Sequence, residues 1–379
     1  MPTGNPGKHK GGRGPSRRGG MARQRHVGRR GRTRPGDLSA LGDSEELTEN
    51  IDDDRRGDSA ENVIKRFNRL ARDAHDGAGE DATVCGFDGP LVLVRDGHGD
   101  ERPCQIRQVL KKMLVGVSSP LAVGDRVRVT ATPEGDHVIA AITPRHNQLT
   151  RTDSHNRALD HVIAANIDRV VVVAAIAQPP LRCGLIDRYL VIAHFNDISP
   201  VIVINKCDLG DHLQTLALYQ SLGYPVFTTV AEDQHDGIEA LRQHLSGLTC
   251  VFTGQSGVGK SSLINALYPG FNLRVAAVSD TIGKGRHTTT SARSFLVSGG
   301  GTLIDTPGIR ACGISGLSAL DVALLYPDIA RHHHECRFHN CQHGHEPGCA
   351  VKAAVKSGTI ARSRYLSYRS IVEEDLSET

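Results

Sequence analysis

The chain has 379 residues, 39% of them hydrophobic and 23% charged, with no Trp, nine Cys and a net charge of +3. That length suits two or three domains with cores of their own. No run approaches the roughly 18 apolar residues of a bilayer span and no apolar h-region follows the N-terminus, while the sparse, uneven cysteines do not form a disulfide framework, so a cytoplasmic, reducing setting is expected.

Charge is distributed unevenly. Residues 1–36 hold eleven Lys/Arg, ten Gly and no acid, whereas residues 37–61 hold ten Asp/Glu against two Arg. Residues 1–80 lack the apolar surface needed to offset chain entropy, so a disordered basic-then-acidic tail is expected there. The basic block either neutralises nucleic-acid phosphates with salt-dependent affinity or simply solubilises the chain. A charged helical pattern over Ala60–Asp73 (Val63, Ile64, Phe67, Leu70) reads as a short linker helix.

Residues 81–148 alternate short strands with Gly, Pro and Asp turns: Pro90–Val94, Gln105–Val109, Asp125–Thr130 and Val138–Ile142. Four or five strands in so short a span predict a small antiparallel barrel, either a nucleic-acid binder or purely structural. Over residues 149–318 the texture changes to β-branched runs, Val170–Ala175, Pro200–Ile204, Val226–Val230 and Thr249–Thr253, alternating with helical stretches at Leu185–Phe195 and Gly237–Leu245. Such runs belong to parallel strands covered on both faces, an α/β sheet. Residues 319–379 are helical around a Cys/His cluster.

The strongest motif is Gly254-Gln255-Ser256-Gly257-Val258-Gly259-Lys260-Ser261, which follows a strand and opens the apolar helix Ser262–Leu267. That context is the one a P-loop requires. Glycines let the backbone close on phosphates, and the helix N-terminus adds positive potential. Lys260 is expected at the β- and γ-phosphates and the Ser261 hydroxyl on Mg²⁺.

Asn205-Lys206-Cys207-Asp208 ends the strand Val201–Ile204. A carboxylate at Asp208 accepts from both N1–H and the exocyclic amine of guanine, donors that adenine does not offer in that arrangement, and a site built on such pairs rejects the wrong base strongly. As a bare tetrapeptide the motif is common on surfaces; beside a P-loop it marks a guanine site. Asp305-Thr306-Pro307-Gly308 also follows a strand, Thr302–Ile304, and is expected to hold the Mg²⁺ shell through Asp305 and to face the γ-phosphate with the Gly308 N–H. Between them lies Gly283-Lys284-Gly285-Arg286-His287-Thr288-Thr289-Thr290. Thr288 or Thr289 is placed to complete the Mg²⁺ shell, with Thr289 favoured, which makes residues 272–290 a switch that orders around GTP.

The order of these motifs is reversed from that of ordinary small GTPases, since the guanine motif at 205–208 precedes the P-loop at 254–261. The sheet is unchanged if the old termini are joined and new ends opened elsewhere, and the segment after Gly308 then runs straight into the C-terminal region. There, Cys336-x4-Cys341-x-His343-x5-Cys349 supplies three thiols and an imidazole for a tetrahedral, structural zinc site. His345 is the alternative to His343, and His332, His333, His334 and His339 are read as facing RNA or solvent.

Together these features resemble the ribosome small-subunit-dependent GTPase A family of circularly permuted GTPases. The resemblance covers residues 82–372 and also rests on Val123-Gly124-Asp125-Arg126-Val127, on Pro144-Arg145 to Arg151 and on Ala165-Asn166-Ile167-Asp168. It implies an OB-fold barrel, a permuted GTPase domain and a helical zinc-binding domain, with one Zn²⁺ per subunit and Mg²⁺ with GTP. It further implies a cytoplasmic monomer that binds the small ribosomal subunit and its rRNA and hydrolyses GTP during late subunit maturation. Two features depart from the family. The stretch Thr229-Val230-Ala231-Glu232-Asp233 stands where the family often has a Ser-containing base-supporting motif, and the tail has no counterpart.

Ile309 follows Gly308 and cannot orient water, so intrinsic turnover should be slow; the resemblance nominates His287 for catalysis, against a role as an RNA contact. The rival function is an rRNA-binding scaffold with a structural nucleotide. A general P-loop ATPase is disfavoured by Asn205 and Asp208.

Overall fold

In the computed structural model the described residues are 79–106, 121–133, 135–152, 160–232, 236–269, 292–305 and 317–376. Residues 1–78 of the expected tail, with its linker helix, and His287, Thr288, Thr289 and Gly308 lie outside them, while Glu80 belongs to the first strand.

Five strands close a barrel: β1 (Glu80–Asp88), β2 (Leu91–Asp96), β3 (Glu101–Ile106), β4 (Arg126–Ala131) and β5 (His137–Ile142). Their order is β1-β2-β3-β5-β4, and the β3–β5 pair is parallel where the other pairs are antiparallel. That is the OB-like architecture expected. Residues alternate in and out, as where Val127 and Val129 enter the core while Arg126 and Arg128 face out. Register shifts at Val84/Gly86 and Arg128/Val129 supply the bends that closure needs. The Asp96 carboxylate closes the β2–β3 turn by accepting from the backbone N–H groups of His98 (2.9 Å) and Asp100 (3.0 Å). The expected strand over Gln105–Val109 instead begins at Glu101.

A hairpin of β6 (Gln148–Thr152) and β7 (Asp160–Ala165) follows. The three family-like segments outside the GTPase motifs meet here. Arg145 pairs with buried Asp125 through two bonds of 2.7 and 2.8 Å, and Asn166 Nδ2 donates to the Gly124 carbonyl at 2.8 Å. Gly124 has φ +93°, and a Cβ there would stand 2.0 Å from the Ala165 oxygen, so only glycine fits.

The main sheet runs β10 (Val226–Thr229), β9 (Ser199–Asn205), β8 (Arg169–Ala175), β11 (Thr249–Thr253), β13 (Thr302–Asp305), β12 (Arg293–Leu296), parallel except for β12. Its strands read as unbroken apolar runs because both faces are covered. Val170, Val172, Ile202 and Ile204 face α1 (Cys183–Phe195) and α2 (Leu213–Ser221). Val171, Val173, Val201 and Val203 face α3 (Ile238–Leu245) and α4 (Lys260–Leu267). The barrel covers the sheet's edge strand: Arg95 donates to the Ser294 carbonyl at 2.7 Å, and Glu101 bridges Arg95 (2.6 Å) and Arg293 (3.1 Å).

The C-terminal helices are α5 (Ala319–Leu324), α6 (Pro327–His333), α7 (Ala350–Ser357) and α8 (Arg362–Leu376). Ser318 and Asp321 form a capping box that starts α5. Val322, Tyr326, Ile329, Tyr368 and Ile371 share one apolar cluster with Ile186, Leu190 and Ala193 of α1. Within that contact Arg364 is buried between two carboxylates, 2.5 Å from Asp187 and 2.9 Å from Asp328, with its guanidinium 4.3 Å from the Tyr326 ring centre. Tyr219 of α2 also donates to Asp187 at 2.8 Å. The two acids hold Arg364 charged. Removing the cation alone strands two buried acids, so Arg364→Ala should lower unfolding stability by about 3–5 kcal/mol in a denaturant titration. A loss below about 1 kcal/mol would mean that the trio is not what seats α8 on α1.

Candidate nucleotide site and metal centre

The chain leaves β8 toward β9 and β10 and returns through α3 to β11 on the other flank of β8. That reversal opens a crevice at the carboxyl ends of β8 and β11, where doubly wound sheets bind ligands. Three motifs share this edge, because Asn205 ends β9, Gly254 follows β11 and Asp305 ends β13.

The guanine motif and the P-loop touch directly. Asn205 Nδ2 donates to the Val258 carbonyl at 2.9 Å. Lys206, in the left-handed region at φ 59°, spans the crevice and donates Nζ to the carbonyls of Gly257 (2.8 Å) and Gln178 (2.6 Å). Asp208 is exposed on the single 3₁₀ turn Cys207–Leu209 that follows. The buried Asn205 Oδ1 accepts from the Thr229 hydroxyl at 3.0 Å and the Ala231 N–H at 3.3 Å. The atypical stretch Thr229–Glu232 therefore lies against the guanine motif, and it buttresses Asn205 with a threonine hydroxyl and a backbone amide. Sequence reasoning named neither contact, nor Gln178.

P-loop glycines have specific reasons. Gly254, at φ +142°, passes so close to β8 that a Cβ would lie 2.1 Å from the Val173 oxygen. Gly259, at φ +87°, precedes the first residue of α4, and a Cβ there would lie 2.5 Å from Asn205 Nδ2. Gly259→Ala should therefore break the Asn205–Val258 contact and lower guanine-nucleotide affinity by at least about tenfold, since a strained backbone costs on the order of 1–3 kcal/mol. Calorimetric titration checks this, and wild-type affinity would refute it. Lys260 Nζ donates to the carbonyls of Gly254 (3.0 Å) and Gln255 (2.8 Å), which holds its charge over the mouth of its own loop. Ser261 lies in the first turn of α4, and neighbouring Ser262 donates to Glu232 at 3.0 Å.

A family model described as RsgA GTPase matches residues 142–315. The small ribosomal subunit biogenesis GTPase RsgA of Ectopseudomonas mendocina is 44% identical over 258 residues, which cover 66% of this chain and 74% of that protein. The chain belongs to the RsgA GTPase family. The protein of the same name from Bacteroides fragilis is 37% identical over 292 residues, 76% of this chain and 94% of that one. Among solved structures, YjeQ from Thermotoga maritima has a TM-score of 0.64 at 32% identity, covering 78% of this chain and 98% of its own. YloQ, described as a circularly permuted GTPase, has a TM-score of 0.60 at 27% identity, covering 80% and 98%. The chain thus has the circularly permuted GTPase fold that its motif order indicates, and the enzyme is a GTP hydrolase.

Like the GTPase motifs, the RsgA-family chain's four C-terminal donors come together. The ligand atoms of Cys336, Cys341, His343 and Cys349 all lie within 4.8 Å of one another. Cys336 Sγ is 3.9 Å from Cys349 Sγ, and His343 Nδ1 lies 3.7 and 3.4 Å from those sulfurs. A tetrahedron with metal–sulfur bonds of about 2.3 Å has edges of about 3.8 Å, so the cluster fits a tetrahedral metal ion. Burial pushes the His343 imidazole down to about 4, which leaves it neutral, and pushes the Cys341 thiol up to about 12, so a bound cation must draw the proton off that sulfur. Burial pushes the Cys349 thiol up, and the Lys352 N–H of α7, 3.4 Å from the sulfur that caps this helix, offsets part of that rise. Exposed His345 is outside the cluster, and the imidazole within it is that of His343. His333 departs from expectation, because it faces His343 rather than only solvent.

Proposed function

We propose that this protein binds the small ribosomal subunit and its rRNA and hydrolyses GTP late in subunit maturation, with hydrolysis releasing the protein. The observation that carries this is the direct contact of Asn205 and Lys206 with the P-loop, which puts both nucleotide-reading motifs around one crevice. The curated relatives are named for small-subunit biogenesis. In this reading residues 149–318 form the nucleotide domain, 81–148 the barrel and 319–379 the zinc domain, and barrel, zinc domain and basic tail contact RNA as a monomer in the cytoplasm.

Asp208 reads the guanine edge, the loop Gly254–Gly259 wraps the phosphates with its N–H groups, and Lys260 leaves the Gly254 and Gln255 carbonyls for the β- and γ-phosphate oxygens. Ser261, Thr289 and Asp305 would hold Mg²⁺. Mg²⁺, when bound, neutralises charge that develops on the phosphates. The Gly308 N–H faces the γ-phosphate, Thr288 lies beside Thr289 in the switch, and His287 orients the attacking water on the subunit. Four protein donors leave no open position on the C-terminal ion, so zinc there is structural.

Purified small subunits added to the protein should raise GTP turnover by at least about tenfold, because Ile309 supplies no group to orient water. A rate indifferent to subunits would favour a scaffold whose nucleotide is structural.

A further inference from the structure

His343 turns Nδ1 to the thiols, 3.4 Å from Cys349 Sγ and 3.7 Å from Cys336 Sγ. Its other nitrogen, Nε2, lies 3.1 Å from Nδ1 of His333, with the two rings nearly perpendicular at 89° and their centroids 5.1 Å apart. Once Nδ1 gives its lone pair to a cation, the neutral imidazole must carry its proton on Nε2. The pair then has one arrangement: His343 Nε2–H donates and His333 Nδ1 accepts. Metal-bound histidines are commonly held by an outer acceptor of this kind, usually a carboxylate, carbonyl or water. Here the acceptor is a second imidazole.

We propose that His333 is a positioning residue of the metal centre, fixing the tautomer and ring plane of His343 and thereby raising the site's affinity for a tetrahedral divalent cation. Its place in the fold suits that role. His333 is the last residue of α6, whose first turn carries Asp328, clamped by Arg364 through bonds of 2.9 and 3.2 Å. The helix is therefore held at its start and offers His333 from its end. The flanking histidines are directed elsewhere: His332 Nδ1 lies 3.3 Å from Glu335, and the His334 side chain is 73% exposed. His343 itself is fully buried, which leaves the His333 nitrogen as the partner its outward N–H meets.

The test is competition for Zn²⁺ between the full-length protein and a chromophoric chelator at fixed pH. His333→Phe keeps a ring and removes the acceptor, and it should lower Zn²⁺ affinity about 10- to 100-fold. His333→Gln or His333→Asn, each offering a carbonyl oxygen, should recover most of the loss. Unchanged affinity in His333→Phe, or a loss that neither amide recovers, would overturn the assignment. Should the Phe variant fail to fold, ¹⁵N NMR of the Zn²⁺-loaded wild type decides. A slowly exchanging proton on His343 Nε2 supports the role of His333, and one that exchanges as fast as in free imidazole rules it out.

Discussion

Replacing Asp208 with asparagine should lower affinity for GTP and GDP by about 100- to 1000-fold and turn the preference toward xanthine nucleotides. The carboxylate is proposed to accept two charge-assisted hydrogen bonds, from N1–H and the exocyclic amine of guanine, each worth on the order of 1.5–3 kcal/mol. An asparagine amide keeps one acceptor and puts a donor where the amine stood, so guanine meets a donor facing a donor. Xanthine carries an oxygen at that position and restores the pair. The fold should be indifferent to the change, because Asp208 is exposed on its turn while Asn205 and Lys206 make the contacts to the P-loop. Competition between GTP and XTP measures the switch, and guanine preference surviving in Asp208→Asn would remove base reading from this loop.

Lys260→Ala should abolish turnover, by about 100- to 1000-fold or more, while leaving the metal stoichiometry of the protein unchanged. The ammonium is the strongest positive charge in the P-loop and supplies preorganised stabilisation where charge develops on the phosphates, an effect of roughly 3–4 kcal/mol for a single lost donor. Two of its hydrogen bonds are to carbonyls of its own loop, Gly254 and Gln255. The C-terminal cluster lies on other elements, held by α6, α7 and α8. Loss of bound zinc together with turnover would mean that the P-loop supports the C-terminal helices.

What could be read from residues alone follows a physical division. Phosphate wrapping, guanine reading and tetrahedral metal binding each demand particular residue types at short spacings, so Gly254–Ser261, Asn205–Asp208 and Cys336–Cys349 were legible. The inner strands β8, β9 and β11 were legible too, to within a residue or two, because burial on both faces leaves unbroken apolar runs. Strands whose signals are local and mixed were not. β1 begins with two acids and carries a bulge at Cys85, and β12 is four residues long. Long-range pairings left no trace at all. Arg364 and Asp187 lie 177 positions apart, and nothing in either neighbourhood announces the other. His333 is hidden in a run of three histidines, where only the three-dimensional contact with His343 sets it apart. The Thr229 stretch looked like a missing motif because the expected residue was serine; the structure supplies the hydroxyl from threonine and the second donor from the backbone of Ala231.

The most direct test of the whole account is a crystal structure of the full chain with a non-hydrolysable GTP analogue and Mg²⁺. A single nucleotide should span the crevice, with the Asp208 carboxylate on the guanine edge and the Lys260 ammonium moved from the Gly254 and Gln255 carbonyls to the β- and γ-phosphate oxygens. A nucleotide held by the P-loop with its base turned away from Asp208, or one bound elsewhere while Lys260 stays folded on its own loop, would contradict it.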